Sequence, residues 1–85
     1  MILDLYRARL KMAFNMVGER DVSLADVDGL KLAVSDLEEN LTAEQASERA
    51  ANYRAIAEEA QKENDCATAR GMWWAISAME QQCKA

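Results

Sequence analysis

A chain of 85 residues makes one domain, residues 1–85, and buries only about 60–65% of the surface its unfolded form exposes. Of its residues 51% are apolar, but sixteen of these are Ala, so the core is thin. There is no His, which removes the commonest general base and metal ligand, and the net charge of −5 disfavours a phosphate backbone or an anionic membrane as partner.

The first predicted helix runs from Ile2 to Val17. Leu3, Tyr6, Leu10, Ala13 and Val17 step by 3, 4, 3, 4 and define one apolar face, which Phe14 widens. Leu5, Met12 and Met16 form a second stripe interrupted by Arg9. Gly18 stands where a left-handed cap would end the helix.

The second helix has the clearest start. Ser23 caps, Asp26 stands at the capping-box position, and Val22 and Val27 are spaced as a hydrophobic staple. Val27, Leu30, Val34, Leu37 and Leu41 repeat the 3, 4, 3, 4 spacing. Gly29 costs up to about 1 kcal/mol inside a helix, and marks either a close helix contact or nothing.

Thr42 and Gln45 form a second capping box and open the third helix. This helix is rich in Ala, with Tyr53 and Ile56 its only large apolar residues and with Glu44, Glu48, Glu58 and Glu59 on its other side. Small residues let a helix lie close to its neighbour while burying little area.

Asn64-Asp65 interrupts the pattern, and Asp65 caps the fourth helix. Ala69, Met72, Ile76, Met79 and Cys83 form its main face, flanked by Trp73. Trp74 lies off that stripe with Ala67, Gly71 and Ala78. A helix with two apolar faces has two neighbours, and the second is expected to be another subunit or a partner. The candidate interface is therefore Ala67, Gly71, Met72, Trp73, Trp74 and Ala78. The fold class is all-α: four short helices in an antiparallel bundle or paired helical hairpins, completed by homodimer or homotetramer formation.

Chemistry is sparse. Asp26-Val27-Asp28-Gly29 is similar to the middle of a calcium loop, but the ligand positions at the ends of such a loop fall on Leu24 and Ser35. Glu38/Glu39 and Glu58/Glu59 are adjacent pairs that diverge by ~100° on a helix, so neither faces the other across a pocket. Cys66 and Cys83 have no His to activate them, and seventeen intervening steps put them roughly 25 Å apart on one helix, too far to bridge. Lys and Arg are too scattered for a recognition helix, so no direct nucleic-acid binding is expected. No catalytic residue, metal or cofactor is expected. Asp4 follows Met1-Ile2-Leu3 directly, so no signal peptide is expected, and no apolar run approaches the ~20 residues of a membrane span. Two Cys in a reducing cytoplasm are expected to be free thiols.

Charge is uneven. Arg7, Arg9, Lys11 and Arg20 against Asp4 and Glu19 give the first twenty residues +2, leaving −7 for the rest. In size, acidity, capped heptad stripes and the Met72–Met79 segment around Trp73 and Trp74, the chain resembles the small regulatory proteins of temperate phages and prophages. Antirepressors among these bind a repressor and remove it from its operator, so the resemblance implies a repressor as partner. The expected function is a non-enzymatic regulator that docks on a protein and alters its activity or assembly. The alternatives are a chaperone or assembly subunit of a larger complex, and an acidic protein that imitates nucleic acid.

Overall fold

A computed structural model describes residues 2–17 and 23–84. It contains α1 (Ile2–Met16), α2 (Leu24–Glu38), α3 (Ala43–Lys62) and α4 (Cys66–Lys84), with no strand among the described residues. Both capping boxes form. The Ser23 side chain accepts from the Asp26 amide while the Asp26 carboxylate accepts from the Ser23 amide at 3.0 Å. Thr42 and Gln45 exchange the same two bonds, at 3.2 and 3.0 Å. Asp65 accepts from the Thr68 amide at 3.2 Å and so caps α4 as expected. The Gly18 cap and the Val22 half of the staple lie outside the described residues.

The C-terminal ends of α2 and α3 are each followed by an asparagine. Asn40 and Asn64 adopt φ of 56° and 62°, the left-handed region that Asn tolerates better than most residues. After α3 the Asn64 amide bonds the Gln61 carbonyl and the Asp65 amide bonds the Ala60 carbonyl, the paired bonds of a Schellman motif. The chain thus stops α3 and opens α4 within two residues.

α4 packs against both α2 and α3, and α1 packs on α2. The molecule extends 35 × 30 × 15 Å, a smallest dimension that accommodates two helix layers about 10 Å apart. Such a thin arrangement encloses few large side chains fully; Tyr6, Ile76, Met79 and Val27 are the largest. The 3, 4, 3, 4 faces of α1, α2 and α4 all turn inward. α3 contributes Ala46, Ala50, Ala57 and Ala60, consistent with close packing through small residues.

Two expectations are corrected. Phe14 does not widen the core face of α1. It is 55% exposed, with the Lys31 ammonium 5.1 Å from its ring centre. The face of Trp74, Gly71 and Ala78 meets α2 of the same chain rather than another subunit. A Cβ on Gly71 would lie 2.2 Å from the Ala25 carbonyl oxygen, so the two backbones are in direct contact. Gly29 marks this contact from the other side.

Polar bonds fasten the remaining edges. Gln82 donates to the Leu41 carbonyl at 3.2 Å and Cys83 to the Ala43 carbonyl at 3.3 Å, tying the end of α4 to the α2–α3 turn. Arg54 pairs with Glu80 between α3 and α4. Cys66 and Cys83 are both free thiols.

Candidate partner-binding groove

α2 carries two buried carboxylates, and each takes a guanidinium and an aromatic hydrogen-bond donor. Near its C-terminus Asp36, 3% exposed, accepts from Arg49 and from the Tyr53 hydroxyl at 2.5 Å. Arg49 also donates twice to Glu39, at 2.5 and 3.3 Å. Burial, then the Asp36 hydrogen bond and charge, push the Tyr53 hydroxyl above its ordinary range. Glu39 and Asp36 raise the Arg49 guanidinium, while Arg49 holds Glu39 below the usual carboxylate value. This cluster joins α2 to α3.

Near the N-terminus of α2, Asp26 accepts from Arg70 at 3.0 and 3.3 Å and from the Trp74 indole at 3.4 Å, besides its capping bonds to Ser23. Burial alone would raise its pKa. The bonds from Ser23 and Arg70, the Arg70 charge and the indole outweigh that and hold it below its ordinary value. The capping-box partner expected from the sequence, Asp26, is thus also the anchor that orients Trp74 on α4.

Beside this anchor α1, α2 and α4 leave an open groove of about 590 Å³. Met12, Met16, Trp73 and Trp74 supply large apolar surface, and the buried Leu30 and Ala13 lie beneath. Arg9, Arg70, Asp26 and Ser77 supply its polar groups. Arg9 is held over two rings, 5.5 Å from the centre of Trp74 and 5.6 Å from that of Tyr6, within the range of cation–π attraction. Burial raises the pKa of Tyr6, with the charge of Arg9 acting in the opposite direction.

The six residues singled out in the sequence divide among different places. Trp73 and Trp74 line the groove. Trp73 is 45% exposed, whereas Trp74 is half-buried and bonded to α2. Gly71 and Ala78 are covered by the chain itself, and Met72 packs in a small cluster with Ala57, Ile76 and Tyr53. These three cannot present a surface to a partner in this fold. Ala67 is exposed but lies outside the groove lining.

Sequence reasoning missed Arg9, Met12 and Met16 as site residues. Their signal was present: Leu5, Arg9, Met12 and Met16 step by 4, 3, 4, the face of a helix beside its core stripe. Arg9 reads as an interruption only while the stripe is expected to be wholly apolar.

Among the described residues no cluster of His, Cys, Asp or Glu is placed to hold a metal, and no helix is long and apolar enough to cross a membrane. The groove offers apolar contact, guanidinium groups, one hydroxyl and a carboxylate already engaged. The chain matches no protein-family model, no curated protein and no solved structure compared with it.

Proposed function

We propose that the chain is a protein-binding regulator without enzymatic activity, which docks on a target through the α1–α4 groove and alters the target's activity or assembly. The antirepressor reading, in which the target is a repressor, is the specific form suggested by the resemblance. One observation carries the proposal: Met12, 61% exposed, stands with Met16 and the exposed Trp73 beside a Trp74 already fixed by Asp26. Trp is enriched among residues that dominate binding energy, and Met adapts its shape to irregular partners. A groove between helices with adaptable walls suits another protein's helix.

The test is comparative capture from the native host. The intact chain and a Trp73→Ala variant of equal helicity are used as bait, and bound proteins are identified by mass spectrometry. One folded protein should be captured in a fixed ratio by the first and lost by the second. A captured protein that is unfolded or polymeric alone would instead indicate the assembly-subunit role. Binding that is lost with salt yet unaffected by Trp73→Ala would indicate an acidic mimic of nucleic acid. Homo-oligomerisation to a dimer or tetramer is proposed on the thinness of the single-chain core, and is checked by sedimentation at several concentrations.

A further inference from the structure

Arg9 is the charged group of the groove that has no carboxylate partner among the described residues. Arg7, Arg49, Arg54 and Arg70 each lie within 4.0 Å of a carboxylate. Among the described residues no carboxylate comes that close to Arg9, although the chain holds fifteen acidic residues against ten basic ones. Its guanidinium is instead positioned by the faces of Trp74 and Tyr6, at the groove. Ring faces attract a cation, but they do not satisfy its N–H donors or neutralise it. A carboxylate arriving there would find a donor already oriented, and Arg pairs with carboxylates through two parallel bonds.

The apolar surroundings define the rest of the ligand. Leu5, Met12 and Met16 share a face of α1 with Arg9, and Trp73 lines the groove from α4. The part of this face that lines the groove, Arg9 to Met16, spans seven residue steps, roughly 10 Å or two helical turns, and Leu5 continues the face one turn beyond it. An occupant matching it is amphipathic, helical and two or more turns long, with an acidic residue set among apolar ones. A second copy fits poorly. Two α1 faces meeting about a two-fold axis would bring the like charges of the two Arg9 residues together, and the exposed side of α3 offers a single large apolar residue, Ile56.

We propose that the α1–α4 groove binds an amphipathic helix of a target protein, with a target carboxylate paired to Arg9 and the target's apolar side chains on Met12, Met16 and Trp73. This rests on the protein-docking reading above and specifies the partner's chemistry.

The experiment uses the intact chain and two synthetic eighteen-residue helical peptides. Both carry Leu at i, i+3, i+4 and i+7; one is flanked by Glu and the other by Lys. Affinity is read from tryptophan emission and checked by calorimetry, with circular dichroism confirming that each variant is folded. The Glu peptide is expected to bind at least tenfold tighter than the Lys peptide. Arg9→Glu should reverse that order, and the milder Arg9→Gln should abolish the preference. Trp73→Ala should weaken both peptides. Equal binding of the two peptides with a normal Trp73 effect would overturn the charge pairing and leave protein docking standing. Binding indifferent to Trp73→Ala would overturn both. Decanoate binding that depends on Arg9, with neither peptide bound, would show a site for small anionic amphiphiles and overturn the proposal. So would a dimer that Met12→Asp converts to monomer, because the groove would then be filled by a second copy.

Discussion

Gly29 and Gly71 bring α2 and α4 together backbone to backbone: a Cβ built on Gly29 would lie 1.8 Å from the Gly71 carbonyl oxygen. Neither helix has room for a methyl group at that point, so this glycine pair sets how closely α4 approaches α2. The approach in turn places Trp74 within reach of Asp26 and shapes one side of the groove. A helical stripe of Ala25, Gly29 and Ala33 on α2, and of Gly71, Ala75 and Ala78 on α4, makes the contact possible.

Gly29→Ala and Gly71→Ala should each destabilise the fold by about 2 kcal/mol or more. In an open helix either change would stabilise by up to about 1 kcal/mol through helix propensity. Here the steric conflict is with backbone, which cannot rotate away, and overpacking of this kind costs about 1–3 kcal/mol or more. Urea unfolding decides the sign. A gain in stability for both variants would show that α2 and α4 are farther apart than described.

Acid should unfold the chain in part through Asp26. Its folded-state pKa is depressed, so the folded chain binds that proton less readily than the unfolded chain. The stabilising contribution is complete above the unfolded value of about 3.9, and is lost as pH falls through the lower folded value. Asp26→Asn removes the charge-assisted bonds to Arg70, at a cost of about 2 kcal/mol at pH 7. Thermal melts from pH 7 to pH 2 should show a shallower acid dependence for the variant. Parallel curves would assign the acid sensitivity to other carboxylates.

The left-handed turn after α3 gives a prediction of opposite sign. Asn64 holds φ 62°, where Gly is relieved of the strain that a Cβ imposes. Asn64→Gly should leave stability unchanged or raise it by up to about 1 kcal/mol, whereas Asn64→Val should lower it, since a β-branched residue is poorly accommodated there. Chemical denaturation of the three proteins orders them. Val equal to Asn would contradict the left-handed geometry.

Much of this fold was legible because helices announce themselves twice, in caps and in periodicity. Ser23 and Thr42 fixed two starts, and the stripes of α1, α2 and α4 named nearly all of the large core residues. Pairing of helices was not legible. Trp74, Gly71 and Ala78 read equally as a subunit face or as an internal one, because a run of small residues shows that something comes close without showing what. The two buried carboxylates were hidden for a related reason. Asp26 and Asp36 are ordinary polar residues until Arg70, Trp74, Arg49 and Tyr53, all more than ten residues away, fold against them. The groove drew only its two tryptophans from the sequence, since its α1 side was masked by the charge of Arg9.

The thiols should be bystanders to binding. Cys66 is exposed and Cys83 makes one weak bond to the Ala43 carbonyl, and neither lines the groove. Replacing both with Ser should leave the affinity of the captured target within about threefold, since no contact in the groove changes. Calorimetry with that target checks it. A folded variant that no longer binds would give the thiols a functional role.

The affinity of the captured target for Trp73→Ala decides whether the α1–α4 groove is the docking surface. Trp73 is exposed, so its removal perturbs the fold little, and a buried aromatic anchor in an interface is worth about 2 kcal/mol or more. A loss of roughly thirtyfold or more in affinity is expected, with helicity and melting temperature nearly unchanged. Unchanged affinity in that folded variant would contradict it.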